Sequence, residues 1–221
     1  MSDPFQHVSE ATVARYSGRY RELGRHIRTL GWGSEAQQRY RFDRVMDSVA
    51  LSGKRLLDIG CGFGDLLHYA RSVGTAPASY LGWDINPDLI REANTLNNDP
   101  AASFEVVNLL EAPKSPPVAQ TGVMLGLLNF NLKGKPDNLE YSKAMIRQAF
   151  EKVSETLVVD FLSTHLTPEY PPEESVYYHD PAIMLSFALE LTPEVVLKHD
   201  YAPIPQKEFM LILKKRTDAS F

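Results

Sequence analysis

The chain has 221 residues, 43% of them hydrophobic, and a formal net charge of −5, which suits one α/β domain with a full core. That charge balance argues against a dedicated nucleic-acid binder, which carries a basic footprint. The single cysteine, Cys61, rules out a disulfide within the chain and any Cys–Cys zinc knuckle. No apolar run approaches the roughly 18 residues of a membrane span, and the start, Met1 to His7, lacks the basic and apolar regions of a signal peptide. A cytoplasmic location and no metal are therefore expected.

Residues 10 to 30 read as an amphipathic helix, with Val13, Tyr16, Tyr20, Leu23, Ile27 and Leu30 at steps of three and four. Gly31 is a natural stop. Ser34 with Gln37 three residues on makes a capping box for a second helix, whose apolar content is Tyr40, Phe42, Val45, Met46 and Val49. Residues 1 to 50 hold eight arginines, no lysine and six acids. Arginine favours planar, two-pronged contacts to anions, so Arg41 is a candidate for a ligand carboxylate; a solvated helix face is the competing reading.

Leu56, Leu57 and Ile59 form a short buried strand, followed by Gly60, Gly62 and Gly64 and by a helix opening at Leu66. Glycine lacks a Cβ, so the backbone can turn sharply and lie against a ligand. A strand, a glycine turn and a helix N-terminus make a nucleotide-binding elbow. A dinucleotide fingerprint would be G-x-G-x-x-G, but the third glycine position holds Asp65. The next strand is 79 to 84 and ends on Asp84, 20 residues beyond Gly64. A carboxylate at that separation sits at the end of the neighbouring strand and can accept from both ribose hydroxyls. Ile85 can pack on an adenine. Pro87 opens a helix to about 97.

Strand three spans 103 to 107 and ends at Asn108, and residues 112 to 120 are loop-like. Strand four covers about 121 to 128 and runs into Asn129-Phe130-Asn131. A helix at 138 to 152 leads to strand five at 156 to 162. A Pro-rich segment follows, then a helix from Pro181 to about 191. Segments 195 to 199 and 208 to 213 close the chain as an antiparallel pair.

The pattern Asp58-x-Gly60-x-Gly62-x-Gly64 resembles the first motif of the class I S-adenosylmethionine (SAM)-dependent methyltransferases. Five βα steps and a final strand hairpin match that family's order over residues 35 to 216. The resemblance implies an α/β, Rossmann-like seven-stranded sheet with a final antiparallel hairpin. It also implies one domain, with residues 1–50 as a helical cap on a core of 51–216. SAM is then the cofactor and S-adenosylhomocysteine the product. Asp58 helps to hold the SAM amino group, Asp84 takes the ribose, and Asn108 meets the adenine with an amide oxygen where the family often has Asp. Gly60, Cys61, Gly62, Gly64, Ile85, Leu109 and Leu125 complete the implied cofactor contacts. The phrases Gly31-Trp32-Gly33-Ser34, Tyr178-His179-Asp180-Pro181 and His199-Asp200-Tyr201 are similar to bacterial methyltransferases of unassigned substrate.

Ligands in such sheets lie beyond the carboxyl ends of the strands. Methyl transfer from an activated sulfonium needs alignment and exclusion of water, with a base only where the nucleophile carries a proton. Asn131, His165 and His179 are the candidate catalytic residues, since histidine titrates near neutral pH. Turn chemistry at Asn129 and Asn131 is the plain alternative. Asn129-Phe130-Asn131 is not the Asn/Asp-Pro-Pro-Tyr pattern of amino-group methyltransferases, and no Pro-Cys pair for cytosine attack is present. The expected acceptor is a small molecule at an O or N atom. A SAM-binding regulatory protein, a protein or nucleic-acid methyltransferase and a nicotinamide oxidoreductase are the competing readings. Residues 1 to 50 and the 163–179 loop, the long parts outside the βα units, are expected to roof the site together.

Overall fold

In the computed structural model, residues 5–134, 136–201 and 208–216 are described. Seven strands form one mixed sheet of order β3-β2-β1-β4-β5-β7-β6. The strands are β1 (Arg55–Ile59), β2 (Ser79–Asp84), β3 (Ala102–Val106), β4 (Ala119–Met124), β5 (Val153–Leu162), β6 (Val195–Lys198) and β7 (Glu208–Lys214). The helices are α1 (Gln6–Leu23), α2 (Glu35–Met46), α3 (Asp65–Ser72), α4 (Pro87–Leu96), α5 (Asn138–Glu151) and α6 (Pro181–Leu191). The chain divides into two compact units between Lys114 and Ser115.

In the first unit β1, β2 and β3 run parallel, with Leu57 opposite Leu81 and Gly82 opposite Phe104. Parallel strands are covered on both faces and read as near-continuous apolar runs, and Leu56, Leu57, Ile59, Tyr80 and Trp83 are all buried. Ser34 caps α2, which is one half of the expected capping box: its Oγ accepts from the Gln37 N–H at 3.2 Å. Asn86 caps α4 by accepting from Asp88 and Leu89, with Pro87 in the first turn. The first helix departs from the sequence reading. It stops at Leu23, where Gly24 takes φ 61°, and Thr29 Oγ1 donates back to the Gly24 carbonyl at 2.8 Å. Ile27 and Leu30 therefore belong to a run of turns, despite their helical spacing.

In the second unit β4 and β5 are parallel, while β7 runs antiparallel to both β5 and β6. Its core draws on Leu157, Val158, Val159 and Phe161 from β5 and on Phe209, Met210 and Leu211 from β7, all buried. Asp137 and Asp180 cap α5 and α6 with their side chains. Strand β4 ends at Met124, four residues before the expected end, and Gly126 follows at φ 67°. The link between β6 and β7, at 202–207, lies outside the described residues.

Candidate functional site

The elbow at the end of β1 is built by its backbone. Gly60, Gly62 and Gly64 take φ of 79°, 56° and 79°, a region that costs an L-residue roughly 1–2 kcal/mol. The Gly60 and Cys61 amides both donate to the Trp83 carbonyl, at 2.7 and 3.1 Å. This ties the elbow to the end of β2. Gly64 is the N-cap of α3, and Asp65 opens that helix. An acid at a helix N-terminus takes the place an anion would occupy, so this elbow is not arranged for a pyrophosphate.

Asp84 is fixed by three backbone donors. Gly62 N–H donates to its Oδ2 at 3.0 Å, Asn86 N–H to its Oδ1 at 2.9 Å, and Ile85 N–H to the same carboxylate. Burial pushes this carboxyl up, and the three amides hold it down. Asp58 is 5% exposed and accepts from the Tyr80 hydroxyl at 2.5 Å. Burial pushes the Asp58 carboxyl up to about 7; the Tyr80 hydrogen bond opposes that rise, and the charges of Asp84 and Asp65 add to it. Neither Asp58 nor Asp84 makes an ion pair among the described residues. A carboxylate shielded from water without a cation is costly, so the elbow is an environment that a cationic ligand relieves. Cys61 is buried in the same loop, and burial pushes its thiol well up, which makes it inert.

Helix α1 lies beside these groups. Asn86 Nδ2 donates to the Val13 carbonyl and to Ser17 Oγ, Ser17 donates to Asp88, and Tyr20 donates to Glu92. Burial raises the Tyr16 phenol, Arg19 pulls it down, and the Asp84 charge adds to the rise. Asn108 donates from Nδ2 to Ser9 Oγ at 3.0 Å, while its Oδ1 accepts from Leu110 N–H at 3.2 Å. The amide oxygen expected to meet an adenine is thus capping the short 3₁₀ turn at Leu109–Glu111, with Leu109 buried behind it. Ile85 is half-buried next to Asp84.

The turns after α1 cover the glycine loop. A Cβ on Gly62 would come within 2.8 Å of Leu30 Cδ2. Arg41 does not stand free for a ligand carboxylate. It is 6% exposed, donates to the Gln37 carbonyl at 2.8 Å, and its guanidinium lies 4.7 Å from the centre of the Trp32 ring.

The second unit holds Leu125, Asn131, His165 and His179. Leu125 is buried, and the next amide, of Gly126, donates to buried Asp160 at 2.6 Å. Asn131 uses both ends of its amide: Nδ2 donates to the distant Glu174 carbonyl and Oδ1 accepts from the nearby Lys133 N–H. Asn129 Oδ1 accepts from Leu162 N–H. Only the Lys133 contact is a turn role; the other two tie this segment to β5 and to the 163–179 loop. His179 is 1% exposed, and burial holds its imidazole down at about 3. Its Nε2 lies 2.9 Å from Ser142 Oγ, its Nδ1 is buried without a partner, and Phe161 and Tyr177 flank the ring. His165 is exposed, its ring centre 5.7 Å from that of His199. His199 Nε2 lies 2.8 Å from buried Ser163 Oγ. The loop from Ser163 to His179 is pinned at its ends by a bridge between those two residues.

No protein-family model and no curated protein sequence matches the chain. Solved structures do. Magnesium protoporphyrin IX methyltransferase ChlM from Synechocystis PCC 6803, with bound S-adenosylhomocysteine, is 18% identical with a TM-score of 0.63, over 97% of this chain and 100% of that one. The chain has the class I SAM-dependent methyltransferase fold. N-methyltransferase NodS from Bradyrhizobium japonicum WM9 is 13% identical at TM-score 0.63, over 92% of this chain and 99% of that one. The small RNA methyltransferase HEN1 is 16% identical at TM-score 0.62, over 83% of this chain and 26% of that one. Within this methyltransferase fold, sequence reasoning missed the Tyr80–Asp58 bond, the influence of the Asp84 charge on Tyr16, and the Asp160–Gly126 bond. Asp160 left a signal, being a lone acid near the end of an apolar strand. The Tyr80–Asp58 bond left none, because it joins residues 22 apart, and nor did the effect of the Asp84 charge on Tyr16, 68 residues away.

Proposed function

We propose that the chain is a methyltransferase that binds SAM at the Gly60–Gly64 elbow and methylates an O or N atom of a small molecule. The observation that carries this reading is the pair of carboxylates at the elbow, buried Asp58 and half-buried Asp84, with no cation of their own among the described residues. SAM carries an ammonium and a sulfonium against one carboxylate and is a net cation. A nicotinamide dinucleotide brings a pyrophosphate anion, which Asp65 and these carboxylates disfavour. Bound SAM supplies an activated methyl group, displaced in line, with S-adenosylhomocysteine as the leaving product.

The chain's own residues then have simple tasks. Asp58 takes the ammonium of the methionine part. Asp84, held by three amides, accepts from the ribose hydroxyls without having to reorganise. Ile85 and Leu109 give the adenine an apolar surface, and Asn108 fixes the turn that carries Leu109. Arg41 positions Trp32 through its stacking contact. His165, exposed, is the better candidate base; His179, neutral and buried, orders its surroundings, and Asn131 shapes the turn on which it sits.

Small-molecule acceptors are supported by the net charge of −5 and by neighbours such as ChlM, whose name gives a porphyrin acceptor. HEN1, a neighbour named for small RNA, makes RNA the contrasting case. No helix among the described residues is long and apolar enough to cross a membrane, and the reading places the enzyme in the cytoplasm. The test is release of S-adenosylhomocysteine from SAM with panels of hydroxylated and amino small molecules, RNA and proteins. Turnover with a small molecule alone supports the reading. Turnover only with RNA or protein overturns the acceptor class, and SAM binding with no turnover in any panel marks a regulatory SAM binder.

A further inference from the structure

A cavity opens in the groove between α2 and α3. Its volume is about 620 Å³, within the range of small-ligand sites. Each helix contributes one face: Glu35, Gln38, Arg39 and Phe42 recur at steps of three and four on α2, and Asp65, His68, Tyr69 and Ser72 do so on α3. Asp58, Gly60, Gly62 and Asp84 do not line it.

The floor is aromatic. Phe42 and Tyr69 meet at 5.7 Å between ring centres, with buried Phe63 beside them. The charges around it offset one another. Arg39 pairs with Glu35 at 3.3 Å, Arg25 with Asp65 at 3.9 Å, and Gln38 Nε2 donates to Asp65 at 3.1 Å. Two arginines against two acids give the groove no preference for an ion of either sign. One polar atom is left over: among the described residues, His68 Nε2 is buried with no hydrogen-bond partner. Leaving such an atom unpaired costs about 1–3 kcal/mol. Burial also pulls the His68 imidazole down, with Asp65 opposing, so the ring is neutral at neutral pH. A neutral imidazole nitrogen is a donor in one tautomer and an acceptor in the other, and a hydroxyl satisfies either.

We propose that the α2–α3 groove is a second ligand site, which takes an uncharged, hydroxylated aromatic molecule with its ring on Phe42 and Tyr69 and its hydroxyl on His68 Nε2. The assignment does not depend on the methyltransferase reading, since it uses no cofactor contact.

The probe is 2-naphthol, compared with 2-naphthoate and 2-naphthylmethylammonium, titrated into the full chain and followed by amide NMR shifts. 2-Naphthol should shift the Gln38, His68 and Ser72 amides, and the charged analogues should bind at least about tenfold more weakly, roughly the cost of removing an ion from water at this partly exposed site. His68→Leu should weaken 2-naphthol by about tenfold while leaving S-adenosylhomocysteine affinity unchanged. Ser72→Trp, at an exposed position, narrows the groove and should do the same if His68→Leu fails to fold. Absence of shifts on α2 and α3, equal binding by the variants, or tighter binding of either ion would overturn the proposal.

Discussion

Asp58 lies in a buried strand and, among the described residues, has one neutral hydrogen bond, from Tyr80, and no counter-ion. Its carboxyl is pushed up to about 7 in the folded chain against 3.8 ordinarily, so between those values the folded state binds more protons than the unfolded one. Stability of the free protein therefore falls as pH rises through that window. A ligand ammonium beside Asp58 favours the ionised form, so SAM binding should release a proton and tighten as pH rises from about 6 to about 8. Calorimetry in buffers of differing ionisation enthalpy measures that proton directly, and Asp58→Asn should abolish both the release and the pH dependence. A pH-independent affinity in the wild type would mean that Asp58 does not face the cation. At Asp84, substitution by Asn keeps one acceptor oxygen for the loop amides and removes the charge. Asp84→Asn should weaken SAM by about tenfold, the difference between a charged and a neutral acceptor, and should also lower the melting temperature, since its NH2 replaces one of the two oxygens that accept from the loop amides. Unaltered affinity in that variant would remove the ribose assignment.

The elements are held in register by glycines that the sequence alone assigned to the ligand or left unremarked. A Cβ on Gly82 would meet Phe104 at 2.7 Å and Cys61 Sγ at 2.9 Å, and one on Gly64 would meet the same Phe104 ring at 2.7 Å. Gly82 and Gly64 thus make room for Phe104, which β3 sends towards both. Gly82→Ala should destabilise the chain by about 1–3 kcal/mol, and adding Phe104→Leu should recover part of that loss. A neutral Gly82→Ala in thermal melts would show that the ring has space to move. The elbow itself was legible from strand, glycines and helix because that pattern is local. The end of α1 was not. Gly24 and the Thr29 hydroxyl compete with the helix there, and the apolar spacing of Ile27 and Leu30 serves another end, placing Leu30 against Gly62. Arg41 shows the same limit: the two-pronged chemistry of arginine allowed a ligand role, whereas its stacking on Trp32 depends on a turn that the sequence does not specify.

At the scale of the molecule, the order of strands and helices followed from apolar runs and turn residues, because each βα step is short-range. The partners of the buried acids did not, since they join segments far apart in the chain. The same holds for the stitching of α1 to α4 through Ser17, Tyr20 and Asn86. Because the turns at 24–31 lie against the glycine loop, hydrogen exchange should slow at residues 24 to 34 as well as at 60 to 64 when S-adenosylhomocysteine is added. Protection confined to 60 to 64 would show that the turns do not respond to the cofactor.

We propose the elbow as a site for a cation without phosphate. The most direct test is isothermal titration of the wild-type chain with SAM and, separately, with NAD. Saturable SAM binding at one site, lost or weakened in Asp84→Asn, with no heat from NAD, is the predicted result. NAD binding in the absence of SAM binding would contradict it.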